Sequence, residues 1–134
     1  MTRKQAGIIM KKFNIFDIEG MEFPAGRRTR VMYGENGAVN GEYFCQGFVV
    51  VYPGGSVPLH SHETIETYTV LKGDGTITIG DETKEIHAYD SVYIDRNLEH
   101  SLTNTGTEDL HMMFVYAPKI IVDHWAQEKD GSLK

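Results

Sequence analysis

Three histidines and one glutamate carry the strongest chemical signal in this 134-residue chain. His60 and His62 stand two residues apart, Glu66 follows four residues after His62, and His100 comes much later in the chain. Imidazole nitrogens and a carboxylate oxygen together suit a divalent first-row transition metal: Fe, Mn, Ni, Zn and Cu all accept such a set. A metal with open coordination positions is in turn a reason to expect chemistry on a small molecule.

The spacing says which elements must hold these side chains. On a β-strand, residues i and i+2 point to one face. His60 and His62 then converge while Ser61 points away. Glu66, Tyr68 and Val70 share that parity. A chain extended from 60 to 70, with at most a small kink, puts His60, His62, Glu66 and Tyr68 on one face. His100 has to arrive from a neighbouring strand, which a closed sheet supplies. Alone, His60 and His62 read as surface histidines beside an acidic loop; Glu66 and His100 turn the reading toward a metal.

The rest of the sequence supports such a sheet. Turn signals recur from residue 34 onward: Asn40-Gly41, Pro53-Gly54-Gly55, Lys72-Gly73-Asp74-Gly75, Gly80-Asp81-Glu82 and Asn104-Thr105-Gly106 among them. Between them lie short β-branched and aromatic runs at 42–52, 66–71, 76–79, 91–94, 99–103 and 110–117. Even spacing of this kind points to an all-β sandwich or barrel. Phe48 to Tyr52 is continuously apolar, as in a strand covered on both faces. Residues 13–18 and 29–33 read as further strands. Past Pro118, Ile120, Ile121, His124 and Trp125 fall at helical spacing, which predicts a short amphipathic helix over 119–128.

The bulk properties exclude several classes. The length fits one domain, expected over 13–134 with a loosely ordered segment at 1–12. A net charge of −6 argues against a nucleic-acid or anionic-membrane partner. A single cysteine, Cys45, rules out an intrachain disulfide and suits a reducing cytoplasm. No apolar run approaches the roughly 20 residues of a membrane helix.

With both segments placed, the chain resembles the cupin superfamily. Gly54, His60, His62, Glu66 and Gly73 match its first motif, G-x5-H-x-H-x3-E-x6-G, with every spacing kept. His100 and Asn104 match the second, G-x5-P-x-G-x2-H-x3-N. Tyr89, Asp95 and Asn97 stand where glycine, proline and glycine are usual, which puts the loop geometry before His100 at issue. The resemblance implies a small double-stranded β-helix, or jelly-roll barrel, with a short C-terminal helix. It implies one metal near an end of the barrel cavity, held by His60, His62, Glu66 and His100. Such a set leaves about two positions for water, O2 or substrate if the ion is six-coordinate. Small cupins often pair, and the apolar segment 13–33 is the material for a homodimer contact.

Other residues have two readings each. Tyr68 either hydrogen-bonds a substrate or acts as an acid, or is a barrel-lining aromatic. Glu63 is solvated, or an acid/base at the cavity mouth. Gln46, a lone polar residue among Phe44, Phe48 and Val50, has a cavity role or packs in the sheet. Tyr68, Glu63 and Gln46 are therefore the catalytic candidates. Arg28 and Arg30 share a strand face that suits a carboxylate clamp, a solvated surface or a subunit contact. His87, His111 and His124 have no spacing partners and read as ordinary histidines. Of the two faces 112/114/116 and 111/113/115, either one lines the cavity.

Three functions fit. The first is a metal-dependent enzyme on a small oxygenated substrate, of dioxygenase, isomerase, lyase or cyclase type. The second is a non-catalytic ligand-binding or sensing module. The third is a barrel that binds metal without turnover. A general acid or base within hydrogen-bond reach of the substrate separates enzyme from binder.

Overall fold

The computed structural model describes residues 9–118 and 124–133. Ten strands form two sheets: β1 (Met21–Phe23), β2 (Arg27–Tyr33), β3 (Cys45–Val51), β4 (Ser56–His60), β5 (Ile65–Lys72), β6 (Asp74–Ile79), β7 (Glu82–His87), β8 (Ser91–Ile94), β9 (His100–Asn104) and β10 (Leu110–Ala117). One sheet runs β1-β2-β3-β10-β5-β8 and the other β4-β9-β6-β7, with every strand pair antiparallel. This is the expected jelly-roll barrel. A short helix, α1 (His124–Asp130), follows the last strand. It overlaps the helix expected over 119–128, whose Ile120 and Ile121 lie outside the described residues.

Alternation decides which faces meet. In β10, Leu110, Met112, Phe114 and Tyr116 are buried, while His111, Met113 and Val115 are only half-buried. The even face therefore lines the barrel. Between the sheets it meets Val49, Val51, Val57, Tyr68, Val70 and Leu102. Each such fully buried aliphatic side chain contributes about 1.5–3 kcal/mol. β3 is covered on both faces, as its unbroken apolar run requires: Val49 and Val51 face inward, Phe48 and Val50 outward.

The outward cluster is covered by the chain's own N-terminal segment. Phe13, Ile15 and Ile18 pack on Met32, Phe48 and Val50. The strand expected at 13–18 is instead a single 3₁₀ turn, Ile15–Asp17, because the Asn14 side chain accepts the Phe16 N–H at 2.9 Å and draws the backbone into a capped turn. Of the segment 1–12, residues 1–8 lie outside the described ones.

Two strands carry no alternation signal. In β7 only Ile86 is buried, because β7 is the edge of the four-stranded sheet and most of its side chains meet water. β4 lies inside the first motif. The chain is not extended through 60–70: it leaves β4 at His60, crosses between sheets over 61–64, and enters the other sheet at Ile65.

Candidate metal centre

The crossing between sheets is what gathers the four ligand candidates. His60 ends β4 and pairs directly with His100 at the start of β9. His62 sits in the crossing, and Glu66 is the second residue of β5. One donor atom from each of these four side chains lies within 4.8 Å of all the others. Two elements from one sheet and one from the other thus converge, which a flat strand would not achieve.

Each imidazole is held from behind. The Nδ1 of His60 lies 2.7 Å from the Pro58 carbonyl oxygen, that of His100 2.9 Å from Leu98, and that of His62 3.1 Å from Thr64. A carbonyl oxygen only accepts, so the Nδ1 of His60 and of His100 carries a proton and donates it, while that of His62 lies between the Thr64 carbonyl and the Thr64 hydroxyl, the latter 2.9 Å away. In the neutral tautomer with Nδ1 protonated, each Nε2 presents a lone pair inward. Those of His62 and His100 both lie 3.0 Å from the same Glu66 carboxylate oxygen, Oε1. Lone pairs facing an anionic oxygen repel unless a cation stands among them. The His60 Nε2 is buried with no hydrogen-bond partner at all. This donor set therefore fits a metal ion, with the backbone carbonyls fixing tautomer and ring orientation.

Burial keeps the His60 ring neutral. Burial, with the nearby His100 adding to it, lowers the His60 pKa from its ordinary value to about 3. Burial first, then the Glu66 carboxylate, pushes the phenols of Tyr68 and Tyr116 well above their usual range. Both therefore stay protonated and act as hydrogen-bond donors, not as bases.

The loop before His100 keeps the geometry that the family's glycines provide. Asn97 has φ 66° and Tyr89 φ 73°, left-handed backbone at both substituted positions. The Asn97 N–H donates to the His62 carbonyl at 2.8 Å, and Arg96 Nε to the Glu63 carbonyl at 3.1 Å. The degenerate second motif thus clasps the crossing that carries His62. Asn104 is buried and donates to Val51 and Glu108 carbonyls, both at 2.8 Å, while its Oδ1 accepts from the Gly106 N–H.

The other candidates separate. Tyr68 lines the cavity, its ring centroid 5.9 Å from that of His100. Glu63 is exposed on the crossing loop and does not line the cavity that Tyr68 lines. Gln46 lies on the outward face of β3, its Nε2 3.9 Å from Met113 Sδ, because its even parity matches Phe48 and Val50. The cavity role for Gln46 is therefore corrected to packing on the barrel exterior. Arg28 and Arg30 also face outward, against the Glu19 and Ile18 carbonyls.

Three cavity residues, and the buried partner of one of them, were not legible as such. Arg27 and Thr29, on the other parity of β2, point inward. Arg27 makes a bidentate pair with Glu128 of α1 at 2.5 and 2.7 Å, and its guanidinium lies 4.2 Å from the Phe23 ring centroid. Removing one partner of such a buried pair costs about 3–5 kcal/mol. His124, read as ordinary, stacks on His60 at 3.8 Å between ring centroids. The only available signal was that His124 and Glu128 are spaced to share a helix face.

The comparisons with known proteins agree with this architecture. An oxalate-binding protein of Thermotoga maritima is 39% identical over 64 residues, 47% of this chain and 53% of its own. Auxin-binding protein 1 of Arabidopsis thaliana is 32% identical over 72 residues, 47% of this chain and 36% of its own. The chain thus spans about a third to a half of the length of these curated relatives. A polyketide cyclase structure from Streptomyces resistomycificus superposes with a TM-score of 0.70 at 18% identity, covering 93% of this chain and 99% of the other. One described as a predicted oxalate decarboxylase, from Thermotoga maritima, gives 0.71 at 22%, covering 80% and 98%. At such identities the superpositions speak for the fold. The model of the cupin domain matches residues 47–116, more than half of the sequence, and contains all four ligand candidates: the chain belongs to the cupin family.

Proposed function

We propose that this cupin is a metal-dependent enzyme acting on a small oxygenated organic molecule, with His60, His62, Glu66 and His100 holding one divalent transition metal. The observation that carries the reading is the set of inward Nε2 lone pairs around the Glu66 carboxylate, each ring fixed by a backbone carbonyl. A bound ion supplies Lewis acidity toward a substrate oxygen. The chain's own residues supply the rest. Tyr68 and Tyr116 offer protonated phenols from the cavity wall, and the apolar side chains of Val49, Met112 and Phe114 exclude water. The names of the relatives, an oxalate-binding protein and a polyketide cyclase, lend support to oxygen-rich ligands in this fold. We place the protein in a reducing compartment, the cytoplasm, on the strength of its single buried cysteine, Cys45. Among the described residues no helix is long and apolar enough to cross a membrane.

One observation favours a second reading, a non-catalytic ligand-binding cupin. Glu63 and Gln46 both lie off the cavity wall, so Tyr68 is the one catalytic candidate of the three that faces it. The first experiment is metal analysis of protein purified without chelators, beside His62→Ala and Glu66→Ala. About one metal per chain, lost in both variants, is expected. Iron would direct assays to O2 chemistry, and manganese or zinc to isomerase, lyase or cyclase assays. No metal, and none taken up on anaerobic reconstitution, would sink the metalloenzyme and leave the binding module.

A further inference from the structure

A fully buried arginine needs a reason. Arg27 is 1% exposed and Glu128 2%, and they meet across 101 residues of sequence. Their pair is not remote from the candidate centre. Arg27, Thr29, Glu66, Tyr68, His124 and Trp125 line one and the same cavity. Among the described residues, three buried polar side-chain atoms have no hydrogen-bond partner: Thr29 Oγ1, His60 Nε2 and His124 Nδ1. All three belong to this cavity or to the ring stacked against it. The metal accounts for His60 Nε2. It leaves a hydroxyl and an imidazole nitrogen unused beside a guanidinium. Buried polar groups without partners are uncommon in folded proteins, and here they cluster around one cation.

The free space in this cavity is about 10 Å³, room for about one water. A substrate fits there only if something leaves, and α1 is the element that fills it. Its Glu128 carboxylate already sits on Arg27 in the fork geometry that guanidinium groups use for carboxylates.

We propose that Arg27 is the binding site for the carboxylate of a small organic acid, and that Glu128 occupies this site from within the chain until the ligand displaces it together with α1. Charge requires exchange, not addition. A second carboxylate beside Glu128 would bury two negative charges on one arginine, whereas exchange keeps Arg27 neutralised and returns Glu128 to water. Thr29 Oγ1 then donates to the incoming carboxylate. The proposal rests on the reading that this cavity receives the ligand, and it names the ligand's class.

Trp125 is the chain's only tryptophan and sits on α1, so its emission reports the helix directly. Acetate, glycolate and succinate are titrated at constant ionic strength, with acetamide as the neutral control, into metal-loaded and chelator-treated protein. A saturable change in Trp125 emission is expected with the acids and not with acetamide. Glu128→Gln, which removes the internal competitor's charge, should tighten binding about tenfold, and Arg27→Lys should weaken it at least tenfold with the circular dichroism spectrum kept. No saturable response in the wild-type protein, an equal response to acetamide, or an affinity unchanged in Glu128→Gln would overturn the proposal. If Glu128→Gln does not fold, the wild-type titration decides alone. Because one arm is metal-free, failure of the metal reading leaves acid binding measurable. A metal-loaded protein deaf to all three acids sinks the carboxylate site only.

Discussion

At the scale of the residue, the candidate centre is set by which nitrogen faces inward. His60 and His100 each spend Nδ1 on a main-chain carbonyl, so the strand ends choose their tautomer before any ion binds. His100 is the exposed test of this, because it comes from the weaker motif. His100→Ala is expected to lower metal occupancy at least about tenfold by elemental analysis, and unchanged metal content would remove it from the site. A contrasting histidine lies on the surface. His87 Nδ1 donates to Asp74 Oδ1 at 2.8 Å, and that hydrogen bond raises its pKa. The raised folded-state pKa means the contact is at full strength below about pH 6.5 and fades as pH rises through the folded value. An NMR titration should find His87 above the ordinary imidazole value, and Asp74→Asn should bring it down. No difference between the two proteins would show that the contact does not persist in solution.

At the scale of the element, the turns do the positioning. Tyr89 holds φ 73° while its side chain is 84% exposed, so the strained backbone is not offset by packing of the ring. The left-handed conformation costs a non-glycine residue roughly 1–2 kcal/mol, less the extra chain entropy of glycine. Tyr89→Gly is therefore expected to stabilise by about 0.5–1 kcal/mol in urea unfolding; a lower midpoint would mean that the ring has a role outside this chain. Asn104 is the opposite case. Its buried amide closes the turn after β9 with three hydrogen bonds, none of them to a ligand residue. Asn104→Ala should cost about 2–3 kcal/mol while leaving metal stoichiometry at the wild-type value. Loss of metal in a protein that still unfolds cooperatively would instead tie the turn to the centre.

At the scale of the whole molecule, the two sheets share one core, and the N-terminal segment is spent on the chain's own outer face. Phe13, Ile15 and Ile18 cover Met32, Phe48 and Val50, so a homodimer built on 13–33 has Phe16, 61% exposed, and Met21 as its remaining apolar material. We propose that the protein is a dimer through this face. Light scattering should give twice the chain mass, and Phe16→Asp should return it to one; a monomeric wild type rejects the pairing.

The sequence by itself determined the class of fold and marked the four candidate ligands. Five spaced residues from Gly54 to Gly73 and the period-two runs are local facts, and alternation on a strand turns them into faces without knowledge of the partner strand. Local pattern did not reveal β7, since an edge strand in water has no apolar face to display, nor the turn at 15–17, which the Asn14 side chain won from an apolar run. Only the tertiary structure decided that Arg27 and not Arg28 or Arg30 faces the cavity, that Gln46 does not, that His124 stacks on His60 and that Glu128 pairs with Arg27. One residue of register flips every side chain on β2 and β3 to the other face. Where α1 lands depends on contacts 101 residues apart, which the closing of the barrel fixes and no window of sequence contains.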